Sequence, residues 1–290
     1  MEKFDRMVVV GLDGLDYQKI QQFDCDTLTG METFGHLDTE GIKLSTPMLW
    51  ASMITGERPE THGIDTMLTF RGEKVRKMDK YVLGFLEKLG MSALHLRRAL
   101  YYYLFDSSIF VPDKDFMEVD SIFEKVADSV ALDVPGYSEY PYIAGKSFVA
   151  KSNRKRPPVS KQRVLRDCEA EYSYRKDQLF DHLNEHKLVM QHFHYPDWHQ
   201  HMFFNNEEKD RELYEKMDGF AEQILEEVDD DTLVVFCSDH GLEGGGHREE
   251  AFYATNAELE DPVKITELLF SCLEQLDYAE EEEKIEEIEI

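Results

Sequence analysis

The stretch Thr232–His247, TLVVFCSDHGLEGGGH, decides the fold. Leu233, Val234, Val235 and Phe236 form a short apolar run with β-branched content, which reads as a strand buried on both faces. The run ends in Cys237-Ser238-Asp239-His240-Gly241. A carboxylate and an imidazole placed together at the C-terminal end of a buried strand are poorly explained by packing. Open α/β sheets gather ligands at that edge, and Asp with His is a donor pair suited to zinc or a related divalent ion. Gly244, Gly245 and Gly246 then let the backbone turn tightly before another imidazole, His247. The competing reading is a helix N-cap Asp and a surface His.

Two further apolar runs end in the same kind of chemistry. Met7–Val10 leads into Gly11-Leu12-Asp13-Gly14, so Asp13 sits just past a strand end. By itself this is also a common Asp-Gly turn. Leu188–Phe193 leads into His194-Tyr195-Pro196-Asp197-Trp198-His199-Gln200-His201. Asp197 and His201 are four apart, a spacing that aims both side chains the same way on a helix.

Ser45-Thr46-Pro47 opens a run, Met48–Thr55, that lacks breakers and stops at Gly56, as a buried helix does. The two hydroxyls then stand at a helix N-terminus, where unpaired N–H groups and the dipole favour an anion such as phosphate. Ser or Thr is equally the ordinary N-cap there. Arg58–Ile64 reads as a turn and a re-entry into strand, with His62 as a hydrogen-bonded structural residue.

Strand and helix alternate along the chain, which predicts an α/β fold: a mostly parallel central sheet with helices on both faces, as one domain spanning 1–290. Helices are expected at Ser121–Val126, Ser173–Glu185, Glu212–Val228 and Ile265–Leu276, and strands at Val130–Val134 and Ala251–Asn256. A helical insertion is expected at about 67–120, carried by the pattern Lys80–Phe105 and positioned to cover a site. Within it Tyr101-Tyr102-Tyr103 reads as core packing rather than a base-stacking surface. The acidic tail, about 279–290, is expected to fray.

The net charge of −28 argues against broad nucleic-acid binding, because the average field repels phosphates. An anionic substrate would need local positive charge, from metal ions or a basic patch. Lys151, Arg154, Lys155, Arg156 and Lys161 gather into one loop, which reads either as solvated or as anion-holding. Cys25, Cys168, Cys237 and Cys272 are widely spaced without a CxxC pair, as expected of free thiols in a reducing compartment. No run approaches the roughly 20 apolar residues of a membrane helix, and the start MEKFDRMVVV lacks signal-peptide features. No membrane association and a cytoplasmic location are expected; the oligomeric state is left open.

Asp13, Asp197, His201, Asp239, His240 and His247 would converge on one sheet edge. That number of donors suits two ions, and two metals roughly 4 Å apart can clamp the attacking and leaving oxygens of a phosphoryl transfer. With this set the chain resembles the alkaline phosphatase superfamily, in its type I phosphodiesterase/nucleotide pyrophosphatase branch. The matching pieces are GLDG around Asp13, TPMLWASMITGERPETHGI from Thr46, VPGYSEYP from Val134, PDWHQHMF from Pro196, and SDHG with its downstream GGGH. They follow the family's order and span most of the chain.

The resemblance implies a two-metal site, of Zn2+ or of Mn2+ or Mg2+. Asp197, His201 and His247 would hold one ion; Asp13, Asp239 and His240 would hold the other, with Thr46 as nucleophile touching it. It implies hydrolysis of a small phosphate-ester or nucleotide-type substrate, as a phosphodiesterase or pyrophosphatase. The alternatives are a phosphomonoesterase and a catalytically idle metal-binding regulatory protein. Arg58, Arg154, Arg156 and Ser45 are the substrate-binding candidates. Counting back from Gly56 selects Thr46 as nucleophile, whereas aligning on Pro47 selects Ser45. Leu49 stands where nucleotide pyrophosphatases carry a phosphate-holding Asn, and the sulfatase CxPxR signature is absent.

Overall fold

The computed structural model describes residues 4–67, 69–70, 109–139, 160–260 and 262–277. The strands are β1 Arg6–Leu12, β2 Thr33–Asp38, β3 Thr69–Phe70, β4 Ile109–Phe110, β5 Ser129–Leu132, β6 Leu188–Phe193, β7 Thr232–Cys237, β8 Gly241–Glu243, β9 Gly246–Arg248, β10 Ala251–Thr255 and β11 Val263–Lys264. The α-helices are α1 Tyr17–Gln22, α2 Asp26–Thr29, α3 Thr46–Thr55, α4 Pro59–His62, α5 Ile122–Lys125, α6 Lys161–His182, α7 Tyr195–Phe203, α8 Glu207–Glu227 and α9 Leu268–Leu273.

The main sheet has the order β11-β2-β10-β7-β1-β6-β5. β1 is parallel to both β6 and β7, and β5 is parallel to β6. β10 runs antiparallel between β7 and β2, so the sheet is mostly parallel, as expected. Side-chain alternation splits β1 between two cores. Val8, Val10 and Leu12 pack with α6, α7 and α8 on one face, through residues such as Leu179, Trp198 and Phe220. Met7 and Val9 pack on the other with Trp50 and Ile54 of α3 and Leu268 of α9. Burial on both faces explains why the central strands are apolar throughout.

Several boundaries differ from those expected. α6 begins twelve residues before the predicted Ser173, because its first half carries a narrow apolar stripe, Val164, Cys168 and Tyr172, on an otherwise polar surface. The last helix is confined to Leu268–Leu273, and Ile265 instead donates its N–H to Asp38 O beside β11. Ile64 does not re-enter a strand: α4 ends at Gly63 in the left-handed region (φ 83°) and the chain stays irregular until β3. β3 pairs antiparallel with β4, so the ends of the expected insertion form a two-stranded sheet. The pattern Lys80–Phe105, the tyrosines Tyr101 to Tyr103, most of the basic loop including Arg154 and Arg156, and the acidic tail lie outside the described residues. All four cysteines are free and buried, as expected.

Candidate metal centre and hydrolase site

Parallel register assembles the site. Leu12 of β1 pairs with Phe193 of β6, and Gly11 pairs with Cys237 of β7. Carried past the strand ends, this sets Asp13 level with His194 on one side and Asp239 on the other. Adjacent strands stand about 4.8 Å apart, so the three side chains meet. The backbone continues the ladder, with Asp13 N donating to Phe193 O at 3.1 Å. β1 lies between strands reached in opposite directions, the switch point where open α/β sheets form a crevice.

Two glycines admit the neighbours of this edge. A Cβ on Gly11 would lie 2.6 Å from the Trp50 ring, so α3 can lie across β1 only because Gly11 has none. Gly14 adopts φ 73°, and a Cβ there would lie 3.2 Å from Asp197 Oδ1. The turn after Asp13 therefore brings α7 close.

Asp197 and His201 point the same way from α7, with His201 Nε2 3.1 Å from Asp197 Oδ1. His247 arrives on β9 after the expected turn, in which Gly244 and Gly245 have φ 57° and 82°. Its Nε2 lies 3.6 Å from Asp197 Oδ1 and 3.2 Å from His201 Nε2. Tetrahedral ligands about 2.1 Å from zinc stand about 3.4 Å from one another. The triangle formed by these three donor atoms has that size.

A second group adjoins it. His240 Nε2 lies 3.5 Å from Asp13 Oδ1 and 3.5 Å from Asp239 Oδ2. The His240 and His247 rings stack with centroids 3.8 Å apart, which joins the two groups. Asp13, Asp197 and Asp239 are all fully or almost fully buried. Both Asp239 oxygens lack an aligned hydrogen bond, as does Oδ1 of Asp13. Three carboxylates sequestered together are costly unless cations balance them. The donor types, their spacing and the orphaned oxygens all fit divalent ions.

The electrostatics of the protein alone show the same strain. Burial, then the nearby Asp13 and Asp197, push the Asp239 carboxyl well above the usual carboxylate range. Burial also acts to raise Asp13, but hydrogen bonds and charge from His192 and His194 outweigh it and hold that group well below the usual range. Burial and Asp13 act to raise Asp197, and His201 and His240 outweigh them. Burial pushes the His240 ring down to about 4, leaving a neutral ring suited to ligate metal.

His192 and His194 escaped the sequence reading. His194 Nδ1 bonds Asp13 Oδ2, and His192 Nε2 lies 3.5 Å from the same oxygen. His192 in turn meets the Trp50 indole edge to face, with centroids 4.9 Å apart. The signal for His194 was its level with Asp13 past the end of the neighbouring strand; His192, two residues earlier, is level with Gly11.

Thr46 is the first residue of α3 and is buried. Ser45 is the N-cap, and its hydroxyl is buried without capping the helix or finding another partner. His247 Nδ1 lies 3.4 Å from Leu44 O, which ties the start of α3 to the Asp197, His201 and His247 cluster. Pro47 has no N–H, and those of Met48 and Leu49 both donate to Ser45 O. Anion binding by helix amides is thereby narrower than the sequence implied. Arg58 is engaged elsewhere: Nη1 donates to Glu40 O at 3.2 Å, and the guanidinium pairs with Glu40 and Glu60. His62 is structural, as expected, with its Nε2 2.9 Å from Ser52 Oγ.

No curated protein matches this chain in sequence. Among solved structures, a variant of the alkaline phosphatase from the Antarctic bacterium TAB5 is 11% identical, with 97% of this chain and 100% of that chain covered and a TM-score of 0.52. Murine ectonucleotide pyrophosphatase/phosphodiesterase 5 is 14% identical, with 82% of this chain covered and a TM-score of 0.47. The chain spans only 57% of that murine protein's length. Phosphonoacetate hydrolase from Sinorhizobium meliloti gives 14% identity, 83% and 57% coverage, and a TM-score of 0.47. At these identities the likeness is one of fold. In sequence, residues 7–261 match the family model for type I phosphodiesterase / nucleotide pyrophosphatase, and the chain belongs to that family.

Proposed function

We propose that the protein is a divalent-metal-dependent phosphohydrolase that cleaves small phosphodiester or pyrophosphate substrates of nucleotide type, with Thr46 as nucleophile. The observation that carries the reading is the triangle of Asp197, His201 and His247, edged at 3.1 to 3.6 Å and adjoining the buried group Asp13, Asp239 and His240. Family membership points to the same chemistry.

In this reading Asp197, His201 and His247 hold one ion, and Asp13, Asp239 and His240 hold the other. Bound ions supply Lewis-acid polarisation of the phosphoryl oxygens and make hydroxyl groups easier to deprotonate. His192 and His194 orient the Asp13 carboxylate. The Thr46 hydroxyl gives up its proton to solvent and attacks phosphorus, an Oγ1–P bond forms, and the P–O bond to the leaving group breaks opposite it, the leaving oxygen taking up a proton. Water then cleaves the phosphothreonine, releases the monoester or phosphate and restores the hydroxyl. The Thr46 amide is the helix-end donor left to steady a phosphoryl oxygen.

Diester cleavage is the lead reading and monoester cleavage the second; Arg58, the described cation offered for a dianionic monoester, pairs with Glu40 and Glu60. Rates on bis-p-nitrophenyl phosphate and p-nitrophenyl phosphate separate the two. Thr46→Ala is expected to lower kcat at least about a thousandfold, and Ser45→Ala much less. The reverse pattern would move the nucleophile to Ser45, and full activity in the double variant would overturn covalent catalysis at this helix.

A further inference from the structure

A second cluster of metal-ligating side chains stands at the opposite end of the sheet. His182, Glu185 and His186 each offer a ligand atom within 4.8 Å of the others. Among the described residues, every other such group contains Asp13 or Asp197. His182 is the last residue of α6, and Glu185 N donates to His182 O at 3.1 Å, so the turn after the helix folds both residues back together. His186 lies just before β6, whose far end carries His192 and His194. A six-residue strand separates the two places by roughly 20 Å, so this cluster is no extension of the first.

Three details distinguish it from a chance gathering of polar residues. His186 Nδ1 lies 2.7 Å from Asp128 Oδ1. An imidazole that donates Nδ1–H to a carboxylate keeps Nε2 bare, the arrangement that fixes the tautomer of metal-binding histidines. Asp128 is itself held at φ 62°, and its carbonyl accepts from Lys187 N at 3.1 Å, so its place beside β6 is set by the backbone. The Nδ1 atom of His182 is buried without a hydrogen-bond partner, and the nearest Glu185 oxygen is 3.9 Å away. An ion between these groups would satisfy it.

We propose that His182, Glu185 and His186 bind a borderline divalent transition-metal ion, Zn2+ in type, with Asp128 orienting His186 and water completing the coordination shell. Two imidazoles with one carboxylate suit zinc rather than calcium or magnesium, which take oxygen ligands. The ion clips the end of α6 to the starts of β5 and β6. It is structural: it serves stability and takes no part in phosphoryl transfer.

The test is equilibrium dialysis of Zn2+ into chelator-stripped full-length protein, compared with His182→Gln. That substitution breaks no hydrogen bond of Nδ1. The wild type is expected to bind one more equivalent than the variant, with equal phosphoesterase rates after reloading. Asp128→Asn, whose residue tolerates the left-handed backbone, is expected to weaken that equivalent about tenfold, within the range for an orienting partner. Repeating the pair in an Asp239→Asn, His240→Ala background separates this proposal from the enzymatic one. There the His182-dependent equivalent persists whether or not hydrolysis was ever present. Equal Zn2+ equivalents with and without His182 would overturn the site.

Discussion

Arg248 holds the carboxylate of Asp16 with two guanidinium nitrogens, Nη2 lying 2.6 Å from Oδ1 and Nε bonding Oδ2. Asp16 is fully buried and also caps α1, accepting from Gln18 N at 3.0 Å and Lys19 N at 3.2 Å. Asp16 closely follows Asp13, and Arg248 directly follows His247. The pair therefore fastens the loop of one candidate metal-ligand group to the hairpin of the other. Breaking a buried ion pair typically costs about 3–5 kcal/mol. Arg248 is partly exposed, so Arg248→Met is expected to lose nearer 2 kcal/mol and to weaken divalent-ion binding about tenfold. Urea unfolding and metal dialysis read these separately; unchanged values in both would show the pair to be incidental.

Gly11→Ala places a methyl where the Trp50 ring stands 2.6 Å away. The indole and α3 must shift, and overpacking of this kind costs about 1–3 kcal/mol. Because α3 begins at Thr46, the expected result is a loss of kcat larger than the loss of stability implies. A variant that melts lower yet keeps full kcat at assay temperature would show that α3 need not be held so tightly.

His62 is expected to make the protein acid-sensitive. Burial holds its ring down to about 4, against the usual 6.5. Its Nδ1 accepts from Ile64 N at 3.1 Å, a bond that protonation would break. Between pH 4 and 6.5 the unfolded chain binds more protons at this residue than the folded one. Stability is intact above pH 6.5 and falls as pH drops through that window, by up to roughly 3 kcal/mol. His62→Gln is expected to flatten this part of the pH–stability curve. Parallel curves for the two proteins would remove His62 as the cause.

In the proposed metal centre, divalent ions would balance the charge of Asp13, Asp197 and Asp239, which are buried together at one edge. Saturating metal at about one hundred times its dissociation constant is expected to stabilise the fold by about 2.7 kcal/mol, and chelation to remove that gain. In Asp197→Asn the gain should shrink markedly. An unfolding midpoint that is blind to chelator would count against any ion at this edge.

The apolar runs of β1, β6 and β7 were legible because both faces of these strands are covered, and so were the donors that follow each run. The four-residue spacing of Asp197 and His201 was legible because both lie on α7. His192 and His194 were not, since their role depends on which strand lies beside β1, and register is a tertiary property. The antiparallel course of β10 was hidden for the same reason. The first half of α6 was missed because Val164, Cys168 and Tyr172 supply barely one buried side chain per turn. Residue spacing also left Arg58 looking available, and the carboxylates that occupy it come from Glu40 and Glu60.

The level alignment of Asp13 with His194 joins residues 181 positions apart in the chain. Contacts of such separation form late in folding, after the loops between them have closed. No segment ending before β6 can bring Asp13 together with His194, Asp197 or Asp239. In the proposed reading, ions at this edge would therefore be cargo loaded onto a finished sheet, not a nucleus around which the nascent chain collapses.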